Sequence, residues 1–445
     1  MKNYPKNSFN LNRTKELYAM VLKEIVLLIA VATAINAEYV SYKNYKVYKI
    51  VPGSDYEVQI LADLKKQDQY DFWSDIVAIH SDVRIMVAPE KQAEFENYFK
   101  SVEIPAKVVI EDVQEKIDDQ LKRPLTRSGS YAWNFYQSLE EIFEWLDKLA
   151  EDYPDVVSLV TIGESVEGRP IRGVKIDFKK QEKPIIGMIE GGIHAREWIS
   201  PATVTYIINE FLTSTDPDVR LMADNIVWHI FPVANPDGYV YTFTNVRSIG
   251  ISKSRTRYFK PSVGASNNPC DQTFAGPIEF SEPESRAIAN YVITIKEQGN
   301  MIYYFAFHSY SQMVLVPFSH LEGYAVLETP NYADMVSRQI KKCYLNLNNI
   351  FVKSPDEVSG SSFDWVKGVA EVPIVYLFEL RDLGEFGFLL PTELILPNNR
   401  EIMAGLVEME KVTRRMGYYR IDTSSGGRVA FSFVLSVLGL FVAMM

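Results

Sequence analysis

Pro184-Ile185-Ile186-Gly187-Met188-Ile189-Glu190-Gly191-Gly192-Ile193-His194-Ala195-Arg196-Glu197-Trp198-Ile199-Ser200-Pro201-Ala202 is the stretch on which the reading of this chain turns. The apolar run from Pro184 to Ile189 reads as a strand, two glycines end it, and a helix is expected from about Pro201 to Thr213. Between them stands His194-Ala195-Arg196-Glu197. An imidazole and a carboxylate three residues apart can grip one zinc ion, and open α/β sheets place their sites just beyond the carboxyl ends of strands. Two further residues close apolar runs in the same way: His308 after Ile302–Phe307, and Glu379 after Ile374–Phe378. His194, Glu197 and His308 make a set of two nitrogens and one carboxylate, which leaves a zinc ion one position for water. The chain has only five histidines, so two in such places exceed background. A surface salt bridge is the plain alternative for His194 and Glu197. Glu379, inside a strand of large apolar groups, is either half of an ion pair with Arg381 or another base, or a general base facing a water.

Outward from this stretch, strand and helix patterns alternate. Strands are expected over Val156–Ile162, Arg172–Ile176, Pro184–Ile189, Asn225–Pro232, Ile302–Phe307 and Ile374–Leu380. Helices are expected over Ser138–Asp152, Pro201–Thr213, Ser281–Gln298, Asn331–Leu345 and Asn398–Met416. Strands too apolar to have a wet face predict an α/β fold, a mixed and mostly parallel sheet flanked by helices. The first third is different in texture. Strands over Tyr45–Val51, Asp82–Val87 and Ala106–Ile110, with helices from Ser54 towards Gln69 and over Pro89–Phe99, predict a small α+β domain, ferredoxin-like in type. A turn-prone seam, Asp118–Ser130, holds Lys122, Arg123 and Arg127 and reads as a plain linker or as a cut site for a trypsin-like protease.

The expected divisions are a leader over 1–37, a pro-domain over 38–123, a linker over 124–130, a large domain over 131–420 and a tail over 421–445. In the leader, Ile25–Ala34 is a short apolar core with a small-residue end, as a secretory signal requires, and Met20 offers an alternative start. A formal charge of -11 with no basic stripe argues against nucleic acid. The two cysteines, Cys270 and Cys343, sit in no C-x-x-C arrangement, and a disulfide between them is one reading. Val429–Met445 carries no charge and follows Ser424-Ser425-Gly426-Gly427. Three readings of this tail stay open: a lipid-anchor signal, direct membrane insertion, or a merely apolar end.

Five stretches together carry a resemblance: GGIHAREWISPA at Gly191–Ala202, NPDGYVYT at Asn235–Thr242, GASNNPCDQTFAGPIEFSEPE at Gly264–Glu284, HSYSQ at His308–Gln312 and ELRDLGEFGFLLP at Glu379–Pro391. From about Tyr45 to Tyr419 the chain resembles a secreted zinc carboxypeptidase of the pancreatic A/B type with its activation peptide. The resemblance implies one Zn2+ on His194, Glu197 and His308, with Glu379 as base. It implies Arg196 for binding and polarising peptide carbonyls, and Tyr310 and Phe388 lining the cleft. It implies peptide or protein C-termini as substrates, release of single residues, a trypsin-like activator, secretion and a monomer. Phe363 takes the position at the base of the side-chain pocket, which favours an apolar or aromatic end, or a small one if the ring fills the pocket.

The chain also departs from that family. Counting without gaps puts Gly250 at the arginine that stabilises the oxyanion, a loss that typically costs about 10²–10³ in rate. Asn245–Val263, NVRSIGISKSRTRYFKPSV, is too short for the family's cysteine loop and lacks the Asn-Arg pair that clamps the terminal carboxylate. Arg247, Arg255 and Arg257 are the replacement candidates there, or ordinary surface charge. Asp356 stands where the family has its mobile capping tyrosine. Two explanations follow: a diverged, catalytically impaired relative that binds zinc or peptides, or a misread exon over the short segment.

Overall fold

The computed structural model describes residues 41–67, 69–74, 77–123, 131–244, 276–319 and 360–421. The leader, the 124–130 linker and the 422–445 tail lie outside the described residues, as does the helix expected over Asn331–Leu345.

The first layer contains β1 (Lys46–Ile50), α1 (Asp55–Lys65), β2 (Asp71–Phe72), β3 (Val83–Val87), α2 (Pro89–Ser101), β4 (Lys107–Ile110) and α3 (Val113–Leu121). Its sheet has the order β2-β3-β1-β4, and β1 is antiparallel to both β3 and β4. Tyr48, Ile50, Ile85 and Val87 meet Phe95 and Phe99 of α2 in one apolar cluster. The Ser54 hydroxyl accepts from the Glu57 amide and caps α1 where the helix is expected to begin. The seam is shorter than the sequence suggests, because α3 extends through Asp118–Leu121, started by Asp112, whose carboxylate accepts from the amides of Gln114 and Glu115. Arg123 is not loose either. Its guanidinium forks onto the Glu141 carboxylate, with Nη2 donating at 2.8 Å, and lies 5.3 Å from the Phe135 ring centre.

The large domain follows with α4 (Leu139–Asp152), β5 (Val157–Glu164), β6 (Pro170–Ile176), β7 (Ile185–Gly191), α5 (Ile199–Thr213), α6 (Pro217–Asn225), β8 (Ile226–Phe231) and α7 (Pro236–Thr244). After these come α8 (Pro283–Lys296), β9 (Asn300–Ser309), β10 (Met313–Leu315), α9 (Ser362–Gly368), β11 (Ile374–Leu380) and α10 (Ile395–Arg415). A capping box of Ser138 and Glu141 starts α4, and Leu139, Ile142, Leu146 and Leu149 form its buried stripe.

The seven strands of the large sheet run β10-β11-β9-β7-β8-β6-β5. The pairs β11·β9, β9·β7 and β7·β8 are parallel, whereas β10·β11, β8·β6 and β6·β5 are antiparallel. The sheet is therefore mixed and partly parallel, with the parallel strands at its centre. That trims the expectation of a mostly parallel sheet, and the reason is local. A short connection joins the neighbours β5 and β6, which permits only antiparallel pairing, and the chain turns straight back after β9, so β10 runs against β11, which is parallel to β9. Helices cover both faces. One face packs Ile189, Phe305, Phe307, Tyr376 and Phe378 against α4, α5 and α10. The other packs Met188, Tyr304, Ala306, Val375 and Leu377 against α8 and α9.

Candidate metal centre and cleft

β7 delivers the first two candidate ligands. After Gly191 the chain must turn sharply, and Gly192 has φ +64°. A Cβ at Gly191 would stand 2.8 Å from both Ser200 Oγ and Val204 Cγ2, so only glycine lets the loop lie this close to α5. Ser200 fastens the turn: its hydroxyl accepts from the Gly192 amide at 3.0 Å and donates to the Phe307 carbonyl at 2.6 Å. One buried serine thus ties the loop carrying His194 and Glu197 to the residue before His308. Asn235 Nδ2 adds a bond to the Ile193 carbonyl at 3.2 Å.

The three ligand candidates converge as expected, their ligand atoms all within 4.8 Å of one another. His194 Nδ1 lies 2.8 Å from Glu197 Oε1 and 3.1 Å from His308 Nδ1, and Glu197 Oε2 lies 3.2 Å from His308 Nδ1. Ligand atoms held about 2.0–2.1 Å from one tetrahedral zinc ion stand about 3.3–3.4 Å apart, so these spacings fit one such ion. The donor set fits too, being two imidazoles and one carboxylate. Glu197 is almost wholly buried, and burial alone would raise its pKa, but the two histidines outweigh burial and hold the carboxylate below its usual range.

Glu379 is placed by strand register. On the parallel pair β11·β9, Glu379 stands opposite His308, and on β10 it faces Met313. Residues in register on neighbouring strands share a face, so Glu379 sits beside the metal ligand. Arg381, one partner considered for it, is committed elsewhere: Nε and Nη2 donate to Glu401 Oε2 at 3.0 and 2.8 Å.

A second group assembles around Arg196, which is 5 % exposed. Its guanidinium lies 3.9 Å over the Phe388 ring, and Phe388 meets Tyr310 edge-on at 4.9 Å. Asp382 builds the loop that presents Phe388, accepting from the amides of Gly384, Phe386 and Gly387 at 2.7–3.0 Å. Burial pushes the Tyr310 phenol up. The first layer covers this group. Asp71 on β2 lies 3.6 Å from Arg196 Nη1, Trp73 packs edge-on to Phe388 at 5.9 Å, and Gln120 Nε2 donates to the Leu390 carbonyl at 2.6 Å.

Phe363 is 1 % exposed, on the first turn of α9 among Ala306, Leu315 and Leu377. Asp356, Gly250, Arg247, Arg255, Arg257, Cys270 and Cys343 lie outside the described residues.

Two residues of consequence escaped the sequence reading. Asp71, between Tyr70 and Phe72, follows no pattern that would mark it. Glu190 did have a signal, the same one that singles out Glu379, a carboxyl inside an apolar strand. It is 1 % exposed, and its Oε1 accepts from Ser362 Oγ at 2.6 Å. Burial pushes this carboxyl above the usual range, opposed by hydrogen bonds from Ser362 and Tyr304.

Comparison with known proteins agrees with this geometry. The profile described as zinc carboxypeptidase matches residues 142–405, and the profile described as carboxypeptidase activation peptide matches residues 48–120. Zinc carboxypeptidase A 1 of Anopheles gambiae is 36% identical over 420 residues, covering 88% of this chain and 95% of that protein. The structure of thrombin activatable fibrinolysis inhibitor superposes with a TM-score of 0.74 at 25% identity, covering 84% of this chain and 100% of that one. Carboxypeptidase A from Helicoverpa armigera shares the fold with a TM-score of 0.71 at 24% identity, covering 85% of this chain and 99% of that one. With one Zn2+ site on His194, Glu197 and His308 and an activation peptide ahead of it, the chain belongs to the secreted zinc carboxypeptidase family.

Proposed function

We propose that this chain is the precursor of a carboxypeptidase that releases single apolar or aromatic residues from peptide C-termini. The observation that carries the reading is the convergence of His194, Glu197 and His308 with Glu379 in register beside His308. When bound there, zinc supplies Lewis-acid chemistry, acidifying water and polarising a carbonyl. The chain's own groups do the rest. Glu379 accepts a proton from the water that attacks the scissile carbonyl carbon, then delivers it to the nitrogen as the C–N bond breaks. Arg196, set on Phe388, presents its guanidinium to peptide carbonyls, and Tyr310 and Phe388 exclude water from that side. The apolar surroundings of Phe363 favour apolar ends, graded by size at about 1–3 kcal/mol per methylene.

Asp71 against Arg196 supports the reading of 38–123 as an inhibitory pro-domain, released by a trypsin-like cut in 124–130 from a domain over 131–420. Its β-α-β-β-α-β order with sheet order β2-β3-β1-β4 supports the ferredoxin-like type. Secretion agrees with an activation peptide. Among the described residues no helix is long and apolar enough to cross a membrane, so the 421–445 tail alone carries the proposal of surface attachment. A monomer is the oligomeric state proposed.

The test is hydrolysis of a blocked dipeptide ending in Phe after trypsin treatment. Turnover no greater than that of a Glu379→Gln control overturns the reading. One feature favours a second reading: Asn245–Val263 has no Asn-Arg pair. On that reading the chain holds zinc and peptides without efficient turnover, and the same assay with metal analysis would show one ion per chain and no hydrolysis.

A further inference from the structure

The short helix α9 carries Phe363, and three side chains of its first turn hold it in place. Ser361 Oγ accepts from the Asp364 amide at 3.4 Å and starts the helix. Asp364, wholly buried, accepts from the Ser319 amide at 3.0 Å and from the Ser319 hydroxyl at 2.6 Å, which ties the helix to the chain beyond β10. Ser362 donates to Glu190 Oε1 at 2.6 Å, which ties it to the end of β7. Phe363 stands between the two tethers.

The second tether is the unusual one. Glu190 is opposite Ala306 on β9, and Ala306 is opposite Leu377 on β11. Leu377 in turn faces Leu315 on β10. Glu190 therefore interrupts a cross-strand row that continues to Phe231 on β8 and whose other members belong to the apolar cluster that holds Phe363. His308 lies two residues beyond Ala306 on the same face, about 6.6 Å along the strand. Four residues after Glu190 the same strand end delivers His194. A carboxyl in such a place is costly, and an apolar side chain of like volume would pack there without a desolvation cost. An acceptor at this point gives something an apolar group cannot, a fixed bond from the metal-bearing strand to the helix that carries the pocket floor.

We infer that Glu190 is a positioning residue: through Ser362 it locks the helix carrying Phe363 to the strand end that delivers His194, and so sets preference for the C-terminal side chain. This rests on the carboxypeptidase reading with Phe363 at the base of the pocket. Asp364 and Ser319 hold the same helix turn from the opposite side, so loss of the Glu190 bond tilts α9 without releasing it.

The experiment uses the full chain after trypsin treatment, as wild type, Ser362→Ala, Glu190→Ala, Glu190→Gln and the Glu190→Ala/Ser362→Ala double variant. Steady-state kinetics on blocked dipeptides ending in Phe, Leu and Ala are joined to zinc content and to amide hydrogen exchange across 361–368. Leaving a buried partner unsatisfied predicts a rise in KM of about tenfold for the Phe-ended substrate in Ser362→Ala and Glu190→Ala. The ratio of Phe to Ala preference narrows, kcat changes by less, one zinc per chain is kept, and the double variant is no worse than the worse single. Glu190→Gln keeps the accepting oxygen and restores KM relative to Glu190→Ala. Unchanged preference in Ser362→Ala, or zinc lost in step with the rise in KM, overturns the inference. If the wild type turns over nothing, the carboxypeptidase reading fails by itself, and exchange then decides: protection across 361–368 as strong in Ser362→Ala as in wild type sinks the tether, and faster exchange supports it.

Discussion

Two glutamates interrupt apolar strands on one face of the large sheet, Glu379 near the end of β11 and Glu190 near the end of β7. Their registers meet on β9, where Glu379 faces His308 and Glu190 faces Ala306, one row further in. That one-row difference separates their surroundings. Glu379 is only partly buried and stands beside a metal ligand. Glu190 is buried, bonded to Ser362, and raised in pKa by that burial. On the readings proposed above, a carboxyl serves as a chemical group at the carboxyl end of its strand and as a structural fastener one row below it. Depth along the strand, rather than residue type, divides the roles.

The largest effect expected tests what both glutamates depend on. His308→Ala removes one of three ligands, and zinc content should fall from one ion per chain to a small fraction of that, with activity lost alongside. Metal analysis after dialysis reads this directly. Retention of stoichiometric zinc would mean that the His194–Glu197–His308 cluster is not the site.

The next effect separates the two glutamates. Glu379→Gln should lower kcat by about 10²–10⁴ while zinc content stays at one ion per chain, because a general base contributes on that scale. Glu190→Gln should lower it by less than about tenfold, because the amide oxygen still accepts from Ser362. Equal losses in the two variants would break the distinction drawn from their depth.

Asp71→Ala should have a smaller effect, seen in the grip of the activation domain and not in turnover by the freed enzyme. Its carboxylate faces Arg196 at 3.6 Å with both groups largely buried. Losing it should weaken the hold of the cut activation domain on the enzyme by about tenfold, since the buried Arg196 loses a facing carboxylate. Titration of the isolated catalytic portion with the activation domain measures it. An unchanged dissociation constant would move the grip to Trp73 and Gln120.

How much of this was legible follows from where the stabilising contacts lie. The ends of β7, β9 and β11 could be read because central parallel strands are apolar on both faces and stop at polar residues, which marked His194, His308 and Glu379. The helix α4 could be read from its amphipathic stripe, and its capping box of Ser138 and Glu141 is a further local signal. By contrast β2 and β10 are two and three residues long and exist through pairing alone, with β3 and β11 respectively. The helix α6 has a local signal in Asp216 before Pro217, and α3, which runs into the polar seam, has one in its cap Asp112. Asp71 could not be found locally, because its meaning comes from Arg196, which is distant in sequence.

The smallest effect is thermodynamic and tests the burial of Glu190 itself. Its folded pKa is raised above the unfolded value of about 4.3. A carboxyl raised in this way binds its proton more tightly when folded, so it adds stability below the unfolded pKa and loses it as pH rises through the folded pKa. Glutamine mimics the protonated form at every pH. In the metal-free precursor, Glu190→Gln should therefore melt close to wild type near pH 4 and above it near pH 7, by about 1–2 °C for each kcal/mol of desolvation relieved. Calorimetry at the two pH values, read as a difference of differences, cancels the titration of every other group. A glutamine variant that melts below wild type at pH 7, with no gap at pH 4, would show the ionised carboxylate to be favourable where it lies. Glu190 would then join Glu379 as a charge held for the metal centre, and the division by depth would fail.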